Sequence, residues 1–410
     1  MKRFLYLVLA LAAGMVVLHA GWIVHFIHGP AERTVLAQAA STPAPAIQSN
    51  VPLIPFESVP DYLKYPPTMN LGEVLGVAVN SKGRVLVLNH PGSSTSGPLY
   101  GNATTQLLEF DETGKFAREI GRGVYGLGYA HGVRYDRFDN LWVVDKGTQS
   151  VMRFNPAGYV TMNLGRRPEG PDDPEDFYFK GNGLTARGGN PPFAAPAHID
   201  GQFRNPTDIA WDSDDNAYIS DGYTNSRVAK FDKNGNWVRT WGTRGSGGEH
   251  ANQNPGQFNT PHNIAVDRQN HVYVADRGNR RIQVFDRDGN FERFIFLTAP
   301  YDKKRHPVLG NMPANPPDET APWTLCITNT PTQYLYTSDS EPGRIYKLTL
   351  DGKIVGMLGE SGRQMGQFNW IHGLACPSED ALIVADMNNW RVQKLLLRPE
   401  RAKTAQTARR

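Results

Sequence analysis

The chain has 410 residues, enough for one large domain or two ordinary ones. Its 43 Lys and Arg against 40 Asp and Glu leave a formal charge of +3, which excludes the basic footprint of a nucleic-acid binder. The 41 Gly and 30 Pro suit a turn-rich β protein. In chain order, Lys2 and Arg3 precede an apolar run from Phe4 to Ile27. A helix needs about 20 apolar residues to span a bilayer. Residues 1–28 therefore read as an uncleaved transmembrane anchor in preference to a cleaved signal peptide. Either way the basic end stays in the cytoplasm and the remainder is extracytoplasmic: membrane-anchored, or secreted if the segment is cleaved. Residues 29–50 read as a Pro/Ala-rich linker, and residues 399–410 as a basic, disordered tail.

Between them, residues 51–398 repeat. One unit reads "IAVD-RQNH-VYVADRGNR-RIQVFD-RDGN-FERFIF": four short β runs, A to D, divided by turn residues. In order, the chain offers "VAVN…VLVLNH…QLLEFDETGKFAREI", "VRYD…LWVVDKGTQSVMRFNPAGYVTMNL", "IAWD…AYISDGYTNSRVAKFDKNGNWVRTW", the unit above, "CIT…YLYTSDSEPGRIYKLTLDGKIVGML" and "LAC…ALIVADMNNWRVQKLLL". Aligned, the units share a start position at Leu75, His131, Thr207, His262, Trp323 and His372, a mean spacing of about 59 residues. This predicts an all-β, six-bladed propeller of four-stranded blades. The sixth unit lacks a D strand, so residues in Val51–Asn70 are expected to supply it and close the ring. Cys326 and Cys376 fall in predicted strands and read as two buried thiols, with a disulfide as the alternative.

Strand A is the innermost strand of a blade, so its start faces the central channel. Histidines occupy that position in blades two, four and six, about 120° apart around a six-fold ring. His131, His262 and His372 thus converge as a three-imidazole metal site with an open position, which suits zinc, with iron or copper as alternatives. The long D–A and B–C connections (Gly165–Asp200, Thr243–Gln257, Leu297–Ala321, Pro91–Thr105) open on the same face. An aspartate recurs at the end of strand B (Asp145, Asp221, Asp276, Asp339, Asp386), as a structural turn requires. Its neighbours vary as recognition residues do: His90, Lys146, Arg277 and Met387, with Tyr223 one place further on. Tyr223 suits a base beside a metal, and Arg277 suits a two-pronged carboxylate contact.

These units look like NHL repeats. Residues 72–397 further resemble the peptidyl-α-hydroxyglycine α-amidating lyases, on "NPTDIAWD…YISDGYTNSRVAKF", "TPHNIAVD…YVADRGNRRIQVF" and "AHGVRYD". The resemblance implies cleavage of a carbinolamide to an amide and glyoxylate at a zinc on His131, His262 and His372. It implies Tyr223 as the active-site tyrosine and Arg277 as the substrate-binding arginine. The chain departs from the family's pattern at several places. His90 stands where a first-blade arginine belongs, and Trp370 replaces a methionine near the third histidine. Thr224 takes the place of one of a pair of cysteines. A structural calcium, implied on the carbonyls of Val77 and Val133, would also take an aspartate where this chain has Gly373. No copper hydroxylase domain accompanies the repeats.

Three function classes remain. The first is an extracytoplasmic zinc lyase acting on a small-molecule or peptide substrate, with Tyr223, Arg277 and His90 as catalytic candidates and Lys146, Met387 and Trp370 in substrate binding. The second is a non-catalytic NHL propeller presenting its loop face to a peptide or cell-envelope partner. The third is a metal-assisted hydrolase of another small molecule. A monomer is expected in each case.

Overall fold

The computed structural model describes residues 47–91, 105–166, 199–245, 254–300, 320–339 and 343–397. The apolar run 4–27, the tail 399–410 and most of the long connections lie outside the described residues. Among the described residues, no helix is long and apolar enough to cross a membrane. The propeller strands belong to one compact unit, Ala44–Arg410.

Six four-stranded antiparallel sheets follow one another along the chain, as the repeat predicts. The inner strands A are Glu73–Val79, Ala130–Tyr135, Asp208–Trp211, Pro261–Val266, Thr324–Ile327 and Ile371–Ser378. Strands B and C carry nearly continuous apolar runs because blades cover both of their faces. Val85–His90 and Ala217–Asp221, for example, are buried throughout. The outer strands face solvent on one side and alternate instead, as in Val160–Gly165 and Phe291–Ile295. The core is accordingly divided into wedges between adjacent blades. One gathers Leu75, Leu88, Tyr129 and Val143 between blades one and two; another gathers Tyr336, Leu358, Leu374 and Leu395 between blades five and six.

Local chemistry sets the turns. In the A–B turns, Asp136, Asp212 and Asp267 each accept backbone N–H bonds from residues two and four places on. Asp139, Asp215 and Asn270 take the left-handed backbone there (φ 62°, 66° and 69°), which short polar side chains tolerate. At the B–C corners, Asp221, Asp276, Asp339 and Asp386 receive the Nε of Arg227, Arg281, Arg344 and Arg391 at 3.0, 2.9, 3.1 and 2.8 Å. The same aspartates accept a backbone N–H from the segment entering strand A: Arg204 for Asp221, Asn259 for Asp276 and Asn369 for Asp386. Each corner is thereby tied to the start of the innermost strand, where the site lies.

The ring closes through Phe56–Ser58, which pairs antiparallel with Leu395–Leu397 and makes the fourth strand of blade six. Ile54 N–H also donates to the Met357 carbonyl of blade five (2.8 Å), so this segment ties down both of the last blades. The two cysteines differ from their reading as free thiols. Cys326 and Cys376 lie on the neighbouring inner strands of blades five and six, 6.1 Å apart at Cα, and form a disulfide. That separation is within bonding reach once the strands are side by side.

Two predictions follow from the closure. A chain lacking residues 1–58 should lose the single cooperative denaturant transition of the parent, because blade six is left with an unpaired edge; a retained single transition would show that the closure strand is dispensable. Cross-linking a separation of 50 residues contributes about 4 kcal/mol in the loop-entropy account. Reduction, or a Cys326→Ser/Cys376→Ser pair, should therefore lower the unfolding free energy by roughly that amount with the fold preserved.

Candidate metal centre

Strand A opens on a register slip in four of the blades: at Leu75 in blade one, between Val74 and Gly76, and at the start position of the three histidine blades. In blades two, four and six the pairing register slips at the histidine itself: between Ala130 and Gly132, Pro261 and Asn263, and Ile371 and Gly373. Each histidine is the extra residue of a β-bulge, a device that re-aims a side chain out of its strand's alternation. Just upstream, Thr260 and Trp370 hold left-handed backbone (φ 56° and 68°), which is unfavourable for a β-branched or a bulky residue. Corner aspartates pin the adjoining residues in place.

The three imidazoles are buried and meet on the axis. Their ring centroids are 4.7, 4.7 and 5.1 Å apart, and one ligand atom from each lies within 4.8 Å of the others. Nδ1 of His131 is 2.8 Å from the Thr207 carbonyl, Nδ1 of His262 is 2.9 Å from that of Trp323, and Nδ1 of His372 is 2.7 Å from that of Leu75. A carbonyl only accepts, so each Nδ1 carries the proton and each Nε2 keeps its lone pair. The acceptors are the start positions of the three blades that lack a histidine.

Burial, first of all, holds the imidazoles neutral. His131 and His262 lie well below the usual pKa, and His372 falls to about 3; Arg277 adds electrostatic pressure on all three, and Lys146 on His131 and His372. Nε2 of His262 is buried with no hydrogen-bond partner, an unmet acceptor inside the protein. Three neutral imidazoles with converging lone pairs, oriented through Nδ1–H bonds, fit a metal ion: these three residues could hold one.

The other sequence-derived candidates divide into those at the histidines and those in the packing around them. The Tyr223 hydroxyl is 3.2 Å from Nε2 of His131. Burial pushes its pKa up, but Lys146, Arg277 and a hydrogen bond from Arg277 outweigh that and leave it below the ordinary tyrosine value. The Arg277 guanidinium lies 5.4 Å from the centre of the Tyr223 ring and 4.1 Å from that of Trp323. Lys146 Nζ is 4.7 Å from the Tyr223 ring and 4.5 Å from Tyr129. His90 ends strand B of blade one, buried, with its ring 4.4 Å from that of Tyr129; burial first, then Lys146, lowers its pKa to about 3. Trp370 packs edge-on against Trp323 at 5.0 Å. Met387 is buried in the wedge with Leu75 and Tyr129, so its side chain is part of the core.

Trp323 and Tyr129, which pack against Arg277 and Lys146, are site residues that residue type and spacing alone do not mark. Their signals are a start position in blade five and a place two residues before His131.

The calcium reading does not fit. Beneath the histidines, a cavity of about 20 Å³ is lined by Val77, Val133, Asp208, Asn263 and Gly373, and by Arg134. Arg134 donates to both carboxylate oxygens of Asp208 (3.1 and 2.7 Å), to Asn263 Oδ1 (2.9 Å) and to the Leu325 carbonyl (2.9 Å). The lining thus already contains a cation, and the carboxylate there is taken. A Cβ at Gly373 would sit 2.8 Å from the Gly76 Cα, which leaves no room for the missing aspartate side chain. Calcium needs six to eight oxygen ligands.

The buried neutral histidines set a pH dependence. Their unfolded-state pKa lies near 6.5 and their folded values lie below it, so the unfolded chain binds more protons as the pH falls. Stability is fully present above about pH 6.5 and is lost below it. Metal-free protein should lose up to about 1.4 kcal/mol per pH unit per histidine between pH 6.5 and 5. Denaturant unfolding across that range checks this, and His90→Gln should flatten the slope by the share of one proton.

Comparison with known proteins agrees with this architecture. The NHL repeat model matches residues 258–285, the fourth blade. Mouse peptidyl-glycine alpha-amidating monooxygenase is 30% identical over 234 residues, 53% of this chain and 21% of the mouse protein. Drosophila melanogaster peptidyl-alpha-hydroxyglycine alpha-amidating lyase 1 is 24% identical over 352 residues, 80% of this chain and 58% of the fly protein. The chain thus matches less than two thirds of the length of either. A gluconolactonase structure from Xanthomonas campestris shares the fold, with a TM-score of 0.50 and 12% identity over 88% of this chain and 99% of that one. The protein is a six-bladed β-propeller whose fourth blade matches the NHL repeat, and part of the chain is similar in sequence to the peptidyl-α-hydroxyglycine α-amidating lyases.

Proposed function

We propose that this propeller is a zinc-dependent carbon–nitrogen lyase that splits an α-hydroxyglycine-type carbinolamide into an amide and glyoxylate. The observation that carries the reading is the set of three buried imidazoles with Nε2 lone pairs directed inward and the Tyr223 hydroxyl 3.2 Å from one of them. Similarity to amidating lyases supports the substrate class. A zinc ion held by His131, His262 and His372 would supply Lewis acidity toward the substrate's α-hydroxyl oxygen. Iron or copper would also accept imidazole ligands.

This chain's own residues supply the rest. Tyr223, its pKa lowered by the cations around it, takes the hydroxyl proton as general base. The oxygen's electron pair closes to a carbonyl, the C–N bonding pair leaves with the nitrogen, and that nitrogen takes up a proton. One carbinolamide yields one amide and one glyoxylate with no net proton change. Arg277, backed by Trp323, holds the substrate carboxylate.

An extracytoplasmic location, membrane-anchored through residues 1–28, accords with the apolar run and with the disulfide, which persists in oxidising compartments. A propeller that only binds a peptide or envelope partner has no need of converging lone pairs.

Purified protein should carry about one equivalent of metal, and His131→Ala, His262→Ala and His372→Ala should each lose most of it. Tyr223→Phe should keep the metal and lower glyoxylate release from α-hydroxyhippurate by about 10²–10⁴-fold. A zinc-loaded protein that releases no glyoxylate from this substrate would overturn the lyase reading.

A further inference from the structure

The B–C corners of blades two, three and four place three residues around one point. Lys146 follows Asp145, Tyr223 lies two places after Asp221, and Arg277 follows Asp276. The Tyr223 ring has the Lys146 ammonium 4.7 Å from its centre and the Arg277 guanidinium 5.4 Å from it. Lys146 is held from both sides of its peptide unit. Its N–H donates to the Tyr129 carbonyl (3.1 Å), and its carbonyl accepts from Asn205 Nδ2 (3.0 Å). Among the described residues, neither Lys146 nor Arg277 has a carboxylate within salt-bridge distance. Two cations that share one ring, beside a buried site, repel each other until an anion joins them.

Blade one shows why the second cation matters. His90 occupies its corner, 1% exposed and neutral, against the Tyr129 ring at 4.4 Å. It therefore contributes no charge to the site. Lys146, one blade on, sets its ammonium 4.5 Å from the centre of that same Tyr129 ring.

We propose that Lys146 and Arg277 jointly grip the substrate's carboxylate beside Tyr223, so that Lys146 determines specificity for carbinolamides bearing an α-carboxylate. Lys146 supplies the positive charge that the neutral His90 does not. The proposal rests on the lyase reading for the identity of the substrate, and its test does not require turnover.

Full-length, metal-loaded protein is titrated calorimetrically with hippurate, which keeps the carboxylate and lacks the reactive hydroxyl, and with hippuramide, which lacks the charge. The parent should prefer hippurate. Lys146→Met should raise the Kd for hippurate about 10- to 100-fold, the usual range for a lost hydrogen bond to a charged group. The same variant should shift the Kd for hippuramide by less than about two-fold, and Lys146→Arg should restore much of the preference. Equal weakening of both ligands, an unchanged hippurate Kd in Lys146→Met, or a parent with no preference for hippurate would each overturn the proposal. Lys146-dependent hippurate binding without glyoxylate release would leave the grip standing and sink the lyase reading. Glyoxylate release with hippurate binding indifferent to Lys146 would do the reverse.

Discussion

The site depends on a hydrogen bond made three times: an imidazole Nδ1–H donated to a backbone carbonyl of the next blade. It fixes the tautomer, turns Nε2 toward the axis and joins neighbouring blades at their innermost strands. The acceptors are the carbonyls of Thr207, Trp323 and Leu75, so the blades without histidine are the scaffold on which the other three are oriented. A three-fold site on a six-fold ring needs both kinds of blade. Had every start position been histidine, the same carbonyls would sit on residues whose own side chains competed for the axis.

Placing an uncharged but basic trio there carries an electrostatic cost that the surroundings raise further. Arg277 and Lys146 both lower the tendency of nearby imidazoles to take up protons. This disfavours a protonated, metal-free state at neutral pH and favours a ligand that brings negative charge. The same two cations lower the pKa of the Tyr223 phenol. One pair of charges thus bears on the ligands, on the candidate base and on the anion that the site would receive, which is why the three properties cannot be altered independently.

Much of this is legible in the sequence, and the reasons for the rest are physical. Period and turn chemistry reveal six blades, and the missing D strand of the last unit points to residues before the first, where Phe56–Ser58 lies. The alternation of His131, His262 and His372 with Leu75, Thr207 and Trp323 reveals the convergence, since start positions of one repeat face one axis. The bulges are not legible, because they depend on pairing register rather than residue type. The disulfide is hidden for a related reason. Cys326 and Cys376 lie three and four places after their start positions, and only the side-by-side placement of the inner strands of blades five and six brings them within reach. Met387 reads as a recognition residue by analogy with Lys146 and Arg277, and the burial of its unbranched apolar side chain in the wedge with Leu75 and Tyr129 depends on packing that the repeat pattern does not show.

Arg134 shows how the departure at Gly373 can be internally consistent. It reaches from the inner strand of blade two to Asp208 of blade three, Asn263 of blade four and the Leu325 carbonyl of blade five. Asp208 is almost fully buried, and an unpaired carboxylate there would be costly. The guanidinium supplies the positive charge and, unlike a metal ion, directs the fixed N–H donors of Nε and Nη2 in one plane at partners from several blades. Gly373 belongs to the same arrangement: with backbone packed against the site of its absent Cβ, the inner strands of blades six and one approach closely, and no carboxylate is needed where a cation is already covalently part of the chain. The floor of the channel is thereby fixed by the polypeptide itself, and the histidine layer above it is the place where a metal ion would enter.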